Sequence, residues 1–306
     1  MTRPWVIAAC LAIPIVLPAA SQHAPNRKLN VAHRGASAYA PEHTLASYRR
    51  ALESGADFVE QDLAVTKDGV LICLHDPTLE RTTNVEQLFP DRSSTVTWEG
   101  KTARSWLAND FTLAEIKTLD AGSWFDAKFA GERIPTFDEA VALVKGKAGL
   151  FPELKTPEVY EGRPVDFERL VADALDTHQL RGAAADPKTP VILQTFSEAS
   201  ARKLRSIAIG VPVVLLISQG KGWESKARVD EWSRVVQGFG PNKSILEANP
   251  QFVEWAHALG MTVVPYTFRS SSTGRFADVT AEMNHFLYTL GVDGVFTDNP
   301  DLFPRR

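Results

Sequence analysis

Short apolar runs alternate with longer amphipathic stretches along most of the chain. The runs 29–33, 58–65, 70–75, 149–154, 191–196, 211–217, 235–239, 262–268 and 294–297 have the length and composition of strands. Helical patterning falls between them, at 43–54, 137–145, 167–177, 198–207, 250–259 and 277–290. Gly55, Gly260 and Gly291 each stand between a helix and a strand, where leaving the helix calls for a left-handed residue. Repeated βα order implies a parallel sheet. Nine strands, two of them paired as one hairpin, leave eight βα positions. This predicts an α/β fold, a (β/α)8 TIM barrel formed by one domain over 22–306. No Gly-x-Gly-x-x-Gly follows the first run, which speaks against an open dinucleotide-binding sheet. From about 77 to 135 the rhythm breaks. No strand is expected there, and Trp98, Trp106, Phe111, Trp124, Phe125 and Phe129 accumulate. The stretch reads as an insertion after the second-strand hairpin, folding over one end of the barrel as a lid or as a structural cap.

The first 21 residues follow a different pattern. A positive start at Thr2-Arg3, an uncharged apolar run over 5–17 and small residues at Pro18-Ala19-Ala20-Ser21 predict a secretory signal peptide over 1–21. A retained anchor and a lipidated Cys10 are the alternatives, the second weakened by the short apolar run before Cys10. Cleavage leaves 285 residues with a net charge of −5, because the leader carries Arg3 alone, and places the protein in the periplasm or outside the cell. Cys73 then has no intramolecular partner, and its apolar run predicts a buried inert thiol. The whole chain has 33 Lys and Arg against 37 Asp and Glu. That acidic balance argues against a nucleic-acid partner. No later segment is long and apolar enough to insert stably in a membrane.

Polar residues gather where the apolar runs end, and in a parallel barrel that rim is the active face. The first run ends in His33-Arg34-Gly35. The second carries Glu60 and Asp62, the third ends in His75-Asp76, and the fourth passes through Glu153 to Lys155. Later runs end near Gln194 and Thr195, at Tyr266, and at Thr297-Asp298. Glu60 and Asp62 are two apart and share a strand face. Carboxylates that close repel unless a proton or a cation lies between them. Asp68-Gly69 signals a hairpin turn. A two-residue loop there pairs Lys67 with Val70 and sets Asp62 opposite His75, roughly 5 Å apart between Cα atoms; a longer loop changes the register.

Glu153 adds a third carboxylate from a separate strand. Three carboxylates suit a hard cation, Ca²⁺ or Mg²⁺, rather than Zn²⁺. Such an ion polarises a phosphoryl oxygen. Arg34 and Lys155 flank the cluster, and Arg grips phosphate with two donors. His33 and His75 beside a phosphate site can act as general acid and general base. The implied chemistry is phosphodiester cleavage. Plainer readings stand beside it. A strand-end His is often only a hydrogen-bonding group, and Glu153 with Lys155 can be an ion pair worth under about 1 kcal/mol. Pro41-Glu42-His43-Thr44 opens a helix, where Glu42 favours the dipole and Thr44 caps. His23, His178, His257 and His285 receive no role.

Taken together, Ala32-His33-Arg34-Gly35-Ala36, Pro41-Glu42-His43-Thr44, Glu60-Gln61-Asp62, His75-Asp76, Pro152-Glu153-Leu154-Lys155 and Gly294-Val-Phe-Thr-Asp298 resemble the glycerophosphodiester phosphodiesterase family. The likeness covers almost the whole chain after the leader. Many members have Asn where His43 stands and a Trp-Thr motif near Tyr266-Thr267; here both segments look like the exported bacterial branch. The resemblance implies His33 and His75 as the catalytic pair and Glu60, Asp62 and Glu153 as metal ligands. It implies Arg34 and Lys155 on phosphate, with Glu42 in support. Ca²⁺ is implied for exported members and Mg²⁺ for others. Glycerophosphodiesters such as glycerophosphocholine are the implied substrates, giving sn-glycerol 3-phosphate and an alcohol. Tyr266 and the aromatics of the insertion are expected to line the substrate. Two other readings are a barrel phosphodiesterase acting on intact phospholipid and a non-catalytic binding protein; the second is expected to lack rim residues, and none is missing.

Overall fold

A computed structural model describes residues 27–306 apart from 99, 221 and 224. The expected leader over 1–21, with Cys10, lies outside the described residues, as does His23. Strand β1 (Leu29–Ala32) leads through helix α1 (Leu45–Glu53) to β2 (Phe58–Val65), which turns back as β3 (Leu71–Cys73). Next come α2 (Val85–Leu88), the pair β4 (Ser94–Trp98) and β5 (Lys101–Ser105), and α3 (Leu113–Ile116). Alternation resumes with α4 (Phe137–Val144), β6 (Gly149–Leu154), α5 (Phe167–Thr177), β7 (Leu193–Thr195), α6 (Glu198–Ser206) and β8 (Val213–Ile217). It ends with α7 (Lys226–Trp232), β9 (Gly238–Pro241), α8 (Lys243–Ala248), α9 (Gln251–Ala258), β10 (Thr262–Val263), α10 (Val279–Asn284) and β11 (Gly294–Thr297).

The strands run in the order β10-β9-β8-β7-β6-β2-β1-β11, with β3 antiparallel on β2. The chain leaving β10 lies along β11. Asp293 N–H donates to Val263 O at 2.9 Å and Phe268 N–H donates to Phe296 O at 2.8 Å. Eight parallel strands thereby form a nearly closed barrel, the (β/α)8 fold that the alternation predicts. No helix among the described residues is long and apolar enough to cross a membrane.

Side-chain alternation explains how one strand serves both a core and a site. Outward residues such as Val59, Leu63, Leu150, Leu154 and Leu215 pack under the helices. Inward positions change character along each strand. Val31, Phe58, Phe151, Ile192, Val214, Val264 and Phe296 fill the lower lumen. One step further along, the same faces carry His33, Glu60 and Asp62, Glu153, Gln194, Tyr266 and Asp298. An apolar plug thus excludes water below a polar mouth.

Several elements depart from the sequence expectation. The hairpin register is one residue off: Leu63 pairs with Cys73 and Val65 with Leu71. Three residues, 67–69, make the turn, closed by Gly69 N–H to Thr66 O at 3.0 Å with Gly69 at φ +81°. Leu74, not His75, therefore lies against Asp62, its N–H donating to Asp62 O at 2.8 Å. The strand expected at 235–239 begins only at Gly238, because Val235 and Val236 close the turn after α7 on Trp232 O. Side chains are excluded there: a Cβ at Gly238 would meet Thr262 Oγ1 at 2.3 Å, and one at Gly240 would meet Leu216 Cδ2 at 2.5 Å. The run at 262–268 stops as a strand at Val263, since Pro265 has no N–H for the ladder. The helix expected at 277–290 is regular only over α10 and then widens into a π turn over His285–Thr289.

The stretch at 77–135 does hold strands. β4 and β5 pair in register from Ser94 with Ser105 to Trp98 with Lys101. Their residues are Thr- and Ser-rich and, where their side chains are described, mostly exposed, so no apolar run announces them. Trp106, Phe111, Ile116 and Leu119 pack with Ile72 and Leu74 into a separate small core behind β3.

Candidate active site

The mouth of the barrel is a cavity of about 230 Å³ lined by His33, Arg34, Glu60, Asp62, His75, Glu153, Lys155, Gln194, Tyr266 and Arg269, among others. A second cavity of about 530 Å³ adjoins it and shares His75, Glu153, Lys155, Phe196 and Tyr266. Eight of the nine sequence-predicted site residues thus meet in one place. The ninth, Glu42, stands behind Arg34, accepting from Nη1 at 3.0 Å. Apart from Trp98, whose side chain lies outside what the structure describes, the insertion's aromatics do not line either cavity, contrary to expectation; Trp106 and Phe111 serve the small core behind β3, and Trp124 lies at the surface.

Local backbone shape brings Arg34 into the site. Its φ is +55°, and Gly35 follows at +84°. A Cβ on Gly35 would sit 2.4 Å from Ser47 Oγ, so this tight turn against α1 admits only glycine. The turn aims the Arg34 N–H at Glu60 Oε2, 2.6 Å away. Arg34 Nε is buried without a hydrogen-bond partner, 3.5 Å from Asp62 Oδ2.

Glu60, Asp62 and Glu153 are all buried. Asp62 and Glu153 are direct neighbours across β2 and β6. Burial, then repulsion from Asp62 and Glu153, pushes Glu60 well above the usual carboxylate range. Burial likewise lifts Glu153 to about 8, against the pull of Lys155 at 3.2 Å. Asp62 resists its burial and stays well below the usual range, held by Lys155, His75 and His43. Gln194 Oε1 is buried with no hydrogen-bond partner, and Glu153 Oε1 is left with the Lys155 ammonium alone. In the cavity wall Glu60, Asp62 and Glu153 face Arg34, Lys155 and Arg269; Glu42, Asp76 and Asp298 stand behind as partners of Arg34, His75 and His33. Three buried carboxylates meeting beside an unpartnered Gln194 oxygen fit a divalent cation.

Among the described residues, one group of His, Cys, Asp or Glu brings three potential metal-ligand atoms within 4.8 Å of one another: His43, Glu60 and Asp62. His43 departs from the expected role of a helix-opening residue: its Nε2 is 2.8 Å from Asp62 Oδ2 and its Nδ1 is 2.9 Å from the Tyr48 hydroxyl. Ionised Asp62 only accepts, which puts a proton on His43 Nε2, while Nδ1 is engaged by the Tyr48 hydroxyl. Both nitrogens are then in use, and His43 orients Asp62.

The two imidazoles are held alike. His33 Nδ1 lies 2.7 Å from Asp298 Oδ1, and His75 Nδ1 lies 2.6 Å from Asp76 Oδ1. In each ring Nε2 is left for the cavity. Burial, then the Arg34 charge, brings His33 down to about 4 despite Asp298; burial also lowers His75. Neutral rings at pH 7 can take a proton. Asp298, Asp76 and Gln194 stood at strand ends in the sequence without an assigned role. Arg81, which reaches the site from beyond β3, gave no sequence signal.

A barrel whose rim joins buried acids, two carboxylate-held imidazoles, Arg and Lys defines a hydrolase of phosphoric diesters. The sequence model of the glycerophosphoryl diester phosphodiesterase family matches residues 33–302. A glycerophosphodiester phosphodiesterase of Bacillus subtilis is 37% identical over 92% of this chain and 87% of its own. Another, from Arabidopsis thaliana, is 31% identical over 96% and 91%. An Oleispira antarctica phosphodiesterase, solved in complex with the product sn-glycerol-3-phosphate, superposes with a TM-score of 0.66. It is 27% identical over 89% of this chain and 93% of its own. The chain belongs to the glycerophosphoryl diester phosphodiesterase family.

Proposed function

We propose that the protein hydrolyses glycerophosphodiesters to sn-glycerol 3-phosphate and an alcohol with a divalent cation and a histidine pair. The observation that carries this reading is the meeting of His33, His75, Arg34, Lys155 and three buried carboxylates in one cavity. Glu60, Asp62 and Glu153 hold the cation, Ca²⁺ in the first instance and Mg²⁺ in the second. Oxygen donors of this kind select hard ions. When bound, such an ion supplies Lewis-acid polarisation of a phosphoryl oxygen. Arg34 and Lys155 bind the phosphate oxygens, and the unpartnered Arg34 Nε is a donor suited to that task. Glu42 holds Arg34 in place, and Tyr266 forms a wall of the cavity. One of His33 and His75, neutral, takes the proton of the attacking hydroxyl at Nε2; the other enters the step already protonated at Nε2 and gives that proton to the departing alcohol. The bound product of the Oleispira antarctica phosphodiesterase supports glycerol phosphate as the retained half. The leader over 1–21 supports export to the periplasm or beyond.

Glycerophosphocholine hydrolysis, measured with EDTA and then with Ca²⁺ or Mg²⁺ restored, tests the reading. Activity should vanish with EDTA and return with one of the ions. His33→Ala and His75→Ala should each lower turnover by roughly 10²–10⁴. Near-normal release of glycerol 3-phosphate by both variants would refute the assignment.

A further inference from the structure

We infer that Arg81 is a positioning residue that locks His75 and Arg34 into one shared geometry. Arg81 follows β3 and lines neither cavity. Its guanidinium bridges two carboxylates from distant parts of the chain. Nε donates to Asp76 Oδ2, while the two terminal nitrogens donate to Glu42 Oε1 and Oε2 at 2.6 and 3.1 Å. Each carboxylate has a second task. Asp76 Oδ1 holds His75 Nδ1, and Glu42 Oε1 holds Arg34 Nη1. The result is an unbroken sequence of contacts, His75 to Asp76 to Arg81 to Glu42 to Arg34.

The chemistry of this sequence explains why arginine stands at its centre. Two carboxylates from separate segments, Glu42 before α1 and Asp76 after β3, are brought together, and one cation satisfies both. Arg has five donors in a rigid fork and meets two anions at once, whereas Lys offers a compact point charge that cannot reproduce the fork. Without Arg81, Asp76 and Glu42 lose a shared counter-ion and regain rotational freedom. The His75 ring and the Arg34 guanidinium then lose their fixed orientation together. Because the Arg81 side chain is 42% exposed, its pairs add little to folding stability, and its effect falls on geometry.

This inference rests on the roles of His75 and Arg34 proposed above, so the experiment separates the two. The full chain is assayed for glycerophosphocholine hydrolysis as wild type, Arg81→Ala, Arg81→Lys, Arg92→Ala and His75→Ala. Added guanidinium chloride is kept well below denaturing concentrations. Arg92 serves as a control from the same segment, pairing with Glu115 and Asp110 O instead. Arg81→Ala should lose about 10²-fold in kcat, the scale of a small misplacement of a catalytic group, and KM should rise as Arg34 loosens. Free guanidinium should restore about tenfold of the Arg81→Ala loss by refilling the fork, and should leave Arg92→Ala and His75→Ala unchanged. Arg81→Lys, which keeps the charge, should show the same kcat and KM pattern. Wild-type kinetics in Arg81→Ala beside an inactive His75→Ala overturns the inference. So does a folded but inactive Arg81→Ala that guanidinium does not rescue. An active His75→Ala instead sinks the reading of the site itself.

Discussion

Asp298 shows how a residue that touches no reacting atom sets the chemistry of one that does. Its Oδ1 fixes the Nδ1 proton of His33, while Arg269 Nε at 3.3 Å steadies its Oδ2. Which ring nitrogen carries the proton is decided by the partner of the other. Asp298→Ala should therefore scramble the His33 tautomer and free the ring. We expect kcat to fall by about 10²-fold with KM little changed, read from steady-state kinetics. An Asp298→Ala enzyme with wild-type kcat would remove Asp298 from the site. His43 does for Asp62 what Asp298 does for His33, with Tyr48 behind it. At this scale the sequence was informative about identity and silent about pairing. His33 and His75 stand just beyond strands, Glu153 near the end of β6, and Glu60 and Asp62 share the inward face of β2, where barrel chemistry is expected. Nothing local to Arg81 says that it will cross to Glu42, because the two are 39 residues apart and joined only through space.

Turns and loops decide where the elements deliver these residues. The β2–β3 hairpin illustrates the point: one extra loop residue replaces His75 with Leu74 opposite Asp62. His75 still reaches the cavity, because it lies just beyond the short strand rather than within it. The segment before α4 is fastened similarly by Asp120. Its carboxylate accepts from the N–H groups of Gly122, Ser123 and Gly131 at 2.8, 2.8 and 2.9 Å. Burial works against ionisation, yet these bonds bring the Asp120 pKa down to about 2. A folded-state pKa below the unfolded value, about 3.9, stabilises the fold above that pH. The contribution drains away as pH falls through about 2. Asp120→Asn should flatten the acid limb of a stability profile between pH 4 and pH 2. An unchanged slope in urea titrations across that range would show that the carboxylate's charge does not matter here.

At the scale of the whole molecule, the barrel separates stability from chemistry along one axis. Phe58, Phe151 and Phe296 stack tilted in the lumen, with ring centroids 5.8 and 5.0 Å apart. Directly above them stand Glu60, Glu153 and Asp298. Phe151 is fully buried, so Phe151→Ala should cost about 3–5 kcal/mol, measured by denaturant unfolding. The same cavity would let the floor under Glu153 relax. A loss well below that range would mean that the lumen refills easily.

The sequence alone determined the alternation of strands and helices, the glycine stops and the set of acids and imidazoles on or just beyond the strands. These follow from periodicity and local backbone preference, which act over a few residues. Gly55, Gly260 and Gly291 do adopt the left-handed conformation expected of them, at φ +72°, +70° and +84°. Tertiary structure alone decided the hairpin register, the Gly238–Pro241 strand, the pairing of Asp298 with His33 and the bridge made by Arg81. Each of these depends on where two distant segments meet. Barrel closure and side-chain packing select such meetings, and no local propensity encodes them.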